Sequence, residues 1–168
     1  VDIKVNESPT TKPQSPAMEI TRSFAASTFV VYQNKVLLHR HKRCGAWLPA
    51  GGHIDRDELP EEAAVREVKE ETGLDVELYN PDAVLFATDD EARQLHRPMH
   101  LLLENINPYH QHIDFIYYAT AVSNDLNPAL GETNQLQWFT LAQLQNTAMP
   151  TNVQVCAREA LALLGQKD

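Results

Sequence analysis

Short apolar runs alternate with polar punctuation along most of this chain. "SFAASTFVVY" (23–32) and "NKVLLHR" (34–40) are rich in β-branched and aliphatic residues and meet at a polar turn, which predicts a hairpin. "WLPAGG" (47–52) is a short apolar piece broken by Pro49, Gly51 and Gly52. A helix is predicted from about Pro60 to Thr72, because Pro60 suits a first helical turn and Gly73 the left-handed residue beyond a last one. "LDVELY" (74–79), "AVLFAT" (83–88), "MHLLLENI" (99–106) and "HIDFIYYATAV" (112–122) read as strands, and "DDEARQLHRP" (89–98) as a charged loop among them. "QLQWFT" (135–140) is a last strand. "LAQLQN" and "NVQVCAREALALL" have helical spacing, with Val153, Ala157, Ala160 and Leu164 on one stripe. This order implies a mixed sheet with helices packed against it, and periodicity alone leaves α/β and α+β both open.

Composition sharpens the boundaries. Residues 1–19 carry Pro9, Pro13 and Pro16 among Ser, Thr, Lys and Gln, so a flexible extension is expected there, with "DIKV" as a possible edge strand. Residues 20–168 form one domain with apolar content enough for a core. Fourteen Lys and Arg against 23 Asp and Glu give a net charge of −9, a field that repels nucleic acid and anionic membrane. Any polyphosphate ligand then needs local cations. Cys44 and Cys156 show no metal-ligand spacing, and no apolar run reaches the roughly 18 residues of a spanning helix. A soluble, cytoplasmic protein is expected.

The predicted helix ends in "REVKEETG" (66–73), where Glu67, Glu70 and Glu71 fall at i, i+3 and i+4. On a solvated face such like charges cost only about 0.2–0.5 kcal/mol per pair. Partly buried, charges about 5 Å apart repel by roughly 3 kcal/mol at an effective dielectric near 20. A divalent cation reverses that sign, and hard ions such as Mg²⁺ or Mn²⁺ prefer carboxylate oxygens.

The surroundings separate these readings. "GHIDRDELPEEAAVREVKEETGL" runs G-x5-E-x7-R-E-U-x-E-E-x-G-U, where U is a bulky aliphatic residue, and this resembles the Nudix hydrolase signature at Gly52, Glu58, Arg66, Glu67, Val68, Glu70, Glu71, Gly73 and Leu74. "KVLLHRHKRCGAWLPAGG" and "ETNQLQWFT" are similar to the segments that flank that signature, so the resemblance spans roughly residues 22–145. It implies an α/β/α sandwich with a mixed β-sheet, and metal-dependent cleavage of a nucleoside diphosphate linked to another moiety by water attack on phosphorus. Carried over by position, Glu67 and Glu71 are implied as primary metal ligands, Glu70 as ligand or base, and the Gly51 carbonyl as a further ligand. Arg66 and Glu58 are implied to pair and hold the loop against the helix, a task suited to a bidentate guanidinium. Glu132 is the candidate for a fourth carboxylate from a distant loop. Ala63 is expected beside the glutamates, leaving room for metals and phosphates, while Val65 and Val68 are expected to face the core.

Two departures from the family pattern, Asp57 before Glu58 and Leu59 in place of a capping Ser or Thr, bear on loop conformation and not on the carboxylates. Substrate contacts are less legible. Arg40 and Arg43, in "HRHKR", are candidates to guide a phosphate tail; His112 and Asp114 share one face of their strand and are candidates to line a cleft. Trp47, Phe86, Tyr109 and Trp138 are available to stack a base, although core packing accounts for most such rings. The expected activity is that of a Mg²⁺- or Mn²⁺-dependent pyrophosphohydrolase acting on a small nucleotide-like diphosphate, such as a nucleoside triphosphate or sugar nucleotide, in a chain that family resemblance allows to be a homodimer. The alternatives are a non-catalytic nucleotide-binding sensor on the same scaffold and a pyrophosphohydrolase of RNA 5′ ends; the net charge opposes the latter.

Overall fold

The computed structural model describes residues 19–82, 92–132 and 135–166. The expected extension (apart from Glu19), the strand expected at "AVLFAT" with Phe86, and the start of the charged loop lie outside these residues.

The hairpin forms as its sequence predicts. β1 (Thr21–Tyr32) and β2 (Lys35–Arg40) pair antiparallel, and Gln33 and Asn34 turn the chain with φ of 44° and 60°. Two consecutive left-handed residues match the right-handed twist of the flanking strands. The "WLPAGG" piece divides at Pro49 into β3 (Trp47–Leu48) and β4 (Ala50–His53), which return to β2 and to the middle of β1, Ala25–Thr28. β5 (Val76–Leu78) and β6 (His100–Asn107) both pair antiparallel with β7 (His110–Ala121), and β8 (Leu136–Phe139) pairs with β2. β7 runs parallel to β1 along almost its whole length, from Thr21↔His110 to Val31↔Thr120. That pairing makes the eight-stranded sheet mixed.

Helices cover both faces. On one, Phe29, Val31, Leu38, Ile116 and Tyr118 pack under α2 (Leu141–Asn146) and α3 (Thr151–Leu164), whose Val153, Cys156, Ala157 and Ala160 are buried as their stripe predicts. On the other, Ala26, Val30, Leu37 and Tyr117 pack against Ala63, Ala64, Val68 and Leu74, in and just beyond α1 (Pro60–Thr72). The result is an α/β/α sandwich.

α1 sits in a different rotation from the one expected. Val65 is 39% exposed, whereas Ala63 is fully buried against the sheet instead of opening space for ligands. At about 100° per residue, positions 63, 64, 67, 68, 71 and 72 span one half of the helix. Glu67 and Glu71 therefore lie within the buried arc, beside Ala63 and Val68, and Val65 falls just past its edge.

Candidate metal and active site

α1 starts without a capping side chain, since Leu59 stands at the cap; the Leu59 N–H donates to Glu62 Oε2 at 3.0 Å, and the Leu59 carbonyl accepts from Glu62 and Ala63. It ends at Gly73, with φ of 78° and its N–H bonded to the Lys69 carbonyl. Beyond that, the loop before β8 folds back over the helix terminus: Asn127 N–H donates to the Thr72 carbonyl and Ala129 N–H to the Glu70 carbonyl, both at 2.8 Å. These bonds satisfy carbonyls that a helix end leaves open. They also carry Glu132, 61 positions beyond Glu71 in the chain, to the acidic cluster, where its charge acts on both Glu67 and Glu71.

The two inward glutamates face the glycines of β4. Glu71 Oε2 accepts a hydrogen bond of 2.9 Å from the Gly51 N–H. Glu67 lies so close to Gly52 that a Cβ there would stand 2.4 Å from its Oε1. Side-chain exposure is 14% for Glu67 and 13% for Glu71, against 52% for Glu70. Burial pushes the Glu71 carboxyl up to about 7, with the Gly51 N–H opposing and the charges of Glu67, Glu132 and Glu70 adding to the rise. Burial likewise raises Glu67, against the pull of Arg66.

Arg66 organises the entrance to this cluster. Its Nε and Nη2 bind Glu58 Oε1 and Oε2 at 2.7 and 2.9 Å, and Nη2 also donates to the His53 carbonyl at 3.0 Å. Nη1 donates to Glu67 at 2.7 Å and Glu70 at 3.2 Å. The guanidinium beside Glu58 holds that carboxyl below the usual range. One arginine thus serves three carboxylates. Glu71 and Glu132 have no share in it among the described contacts.

His39 was not singled out in the sequence. It follows Leu37 with strand parity, so it enters the α1 face, where it is 6% exposed, and its Nδ1 lies 4.0 Å from Glu71 Oε1 without a hydrogen-bond partner among the described residues. Burial, then the neighbouring charge of His41, holds its pKa down to about 4. A neutral imidazole leaves the cluster short of positive charge. Lys42, from the turn after β2, donates to the Gly131 carbonyl and ties that turn to the loop bearing Glu132.

The residues proposed for substrate contact go elsewhere. Arg40 alternates away from His39 and stacks over the Trp47 ring, 5.6 Å from its centroid, while Arg43 is exposed in the turn. Asp114 is 3% exposed on the α3 face of the sheet, accepting from Ser27 Oγ at 2.7 Å, and burial raises its pKa. His112 shares that face, with a pKa lowered by burial and by His53 and His110. Neither meets the glutamates of α1. Trp47 packs on Phe139 and Trp138 on Tyr32, as core rings, whereas Tyr109 is exposed at the β6–β7 turn.

The donor set fits a hard divalent cation. Glu67 and Glu71 lie half-buried against β4, with Glu70 more exposed at the rim and the charge of Glu132 acting on both, where the described structure supplies one guanidinium shared by Glu67 and Glu70. The missing side chain at Gly52 gives Glu67 the space to reach the site.

Comparison with known proteins agrees with this geometry. The family model described as NUDIX domain matches residues 21–164. A hydrolase of the NUDIX family from Clostridium perfringens shares 44% identity, covers 86% of this chain and 99% of its own, and superposes with a TM-score of 0.78. A MutT NUDIX hydrolase from Burkholderia pseudomallei (21% identity, 86% and 98% covered, TM-score 0.60) and an ADP-ribose pyrophosphatase from Streptococcus suis (22%, 85% and 89%, 0.51) share the fold.

Proposed function

The chain belongs to the Nudix hydrolase family, and we propose that it is a Mg²⁺- or Mn²⁺-dependent pyrophosphohydrolase of a small nucleotide-like diphosphate. A nucleoside triphosphate or a sugar nucleotide is the substrate class put forward. The observation that carries this reading is the inward pair Glu67 and Glu71, held against Gly52 and the Gly51 N–H with their pKa values raised by burial.

In this reading Glu67, Glu71 and the Gly51 carbonyl hold the ion, with Glu70 as further ligand or as the base. A bound divalent ion supplies charge neutralisation at the pyrophosphate and a water of lowered pKa. The protein's own groups set the geometry. The Gly51 N–H fixes the rotamer of Glu71. Arg66 fixes Glu67 from the other side and, through Glu58 and the His53 carbonyl, holds the loop that precedes the helix. Glu132 and the more exposed Glu70, which Arg66 holds at 3.2 Å, are the candidates to take a proton from an attacking water.

A panel of nucleoside triphosphates and sugar nucleotides, with metal added and withheld and the phosphate-containing products identified by phosphorus NMR, tests the proposal. Cleavage of a diphosphate bridge only with metal, absent in Glu71→Gln, is expected. Metal-independent cleavage, or tight nucleotide binding with no product from any member, would overturn it.

A further inference from the structure

We propose a second metal site, for Zn²⁺ or a similar borderline transition ion, built from His53, His110 and His112. One ring nitrogen from each lies within 4.8 Å of the other two. The rings meet edge to face, His53 on His112 at 4.7 Å and His110 on His112 at 5.1 Å between centroids. His53 ends β4 and the other two begin β7, with β1 between them. The β1 residues in register with these strands are small: Ala25 opposite His53, Ser23 opposite His112, and Thr21 opposite His110. Small side chains there let three imidazoles lean across one strand and converge.

The hydrogen bonding suits a ligand. Thr21 Oγ1 lies 3.1 Å from the Tyr109 carbonyl and 2.9 Å from His110 Nδ1. With the hydroxyl proton donated to the Tyr109 carbonyl, which also accepts from the Thr21 N–H, His110 Nδ1–H is the donor to Thr21 Oγ1. That tautomer leaves Nε2 of His110 with a bare lone pair. Fixing the distal nitrogen of a ligating imidazole in this way is the usual companion of metal binding. Glu104 stands opposite His112 in the β6–β7 register, and Asp114 opposite Leu102, which places two carboxyl groups on the same sheet face as the cluster.

Three imidazoles and no carboxylate ligand select the borderline ions over Mg²⁺. Nitrogens sharing a tetrahedral zinc at about 2.0–2.1 Å stand about 3.4 Å apart, so side-chain rotation of these partly exposed rings completes the site, with a fourth position open to water. An ion there ties β4 to β7. Its grip ends one residue from Gly52 and on the residue whose carbonyl receives Arg66.

The test uses the full chain without a histidine tag, in excess Mg²⁺ so that the carboxylate cluster is occupied. Titration with Co²⁺ is expected to give the intense visible bands of a low-symmetry imidazole complex, displaced by one equivalent of Zn²⁺. His53→Ala and His112→Ala should abolish them, Thr21→Val should weaken Zn²⁺ binding by about 10-fold, and Glu71→Gln should leave them intact. His53 is exposed, so its variant keeps the fold, which circular dichroism checks. Weak octahedral absorption alone, bands that survive both histidine variants, or bands lost in Glu71→Gln would overturn the site.

Discussion

Gly52 and Glu67 occupy each other's space: a single carbon added at residue 52 would stand 2.4 Å from a carboxylate oxygen of residue 67. The obstruction is the far end of a flexible side chain, so it yields at little cost in stability but takes the carboxylate out of position. Gly52→Ala is therefore expected to unfold within about 1 kcal/mol of the parent in urea while metal affinity, read by calorimetry, falls by about 10–100-fold.

Gly51 presents the contrasting case. A Cβ there would meet the Ala26 carbonyl oxygen at 2.5 Å and Ser27 Cα at 2.8 Å, both fixed in β1. Backbone cannot rotate aside, so Gly51→Ala is expected to lose about 1–3 kcal/mol of stability. An unchanged urea midpoint would show that β4 can separate from β1 there.

Under the proposed metal site, Glu71→Gln removes a ligand charge while keeping an acceptor for the Gly51 N–H. Turnover with metal should drop on the order of 100-fold or more, with the melting temperature of the metal-free protein unchanged or raised. The rise follows from linkage. Glu71 binds its proton more tightly folded (about 7) than unfolded (near 4.5), so in the metal-free protein ionising it costs stability as pH climbs from about 4.5 through about 7, on the order of 3 kcal/mol in all. The Gln variant escapes that cost.

The same titration predicts the pH dependence of metal binding. Below about 7 the ion must displace the Glu71 proton, so affinity should climb with pH up to that point and level off above it. Calorimetry at pH 6 in buffers of different ionisation enthalpy should register close to one proton released per ion. A pH-independent affinity would remove Glu71 from the ligand set.

Arg66→Lys keeps the charge and loses the fork. An ammonium cannot reach Glu58, Glu67 and the His53 carbonyl together. Loss of about 1–3 kcal/mol in urea unfolding is expected, together with weaker metal binding because Glu67 loses one of its restraints.

Local chemistry made much of this protein legible in its sequence. β-branched, aliphatic and aromatic runs mark β1, β7 and β8, a polar turn marks the β1–β2 hairpin, and Pro60 and Gly73 bound α1, because each depends on neighbours a few residues apart. The i, i+3, i+4 spacing put Glu67, Glu70 and Glu71 on adjoining positions for the same reason. Which way α1 turned was decided by the sheet: Gly52, with no side chain opposite the helix, leaves depth for the Glu67 carboxylate, and the Gly51 N–H receives Glu71, so both point inward and Val65 does not. The parallel pairing of β1 with β7, some 89 positions away, leaves no periodic trace in either strand. That pairing sends Asp114 under α3 and gathers His53, His110 and His112 over β1, while backbone bonds from the loop before β8 to the end of α1 bring in Glu132. Such meetings come from closing long loops around a shared core, a term that local periodicity does not carry.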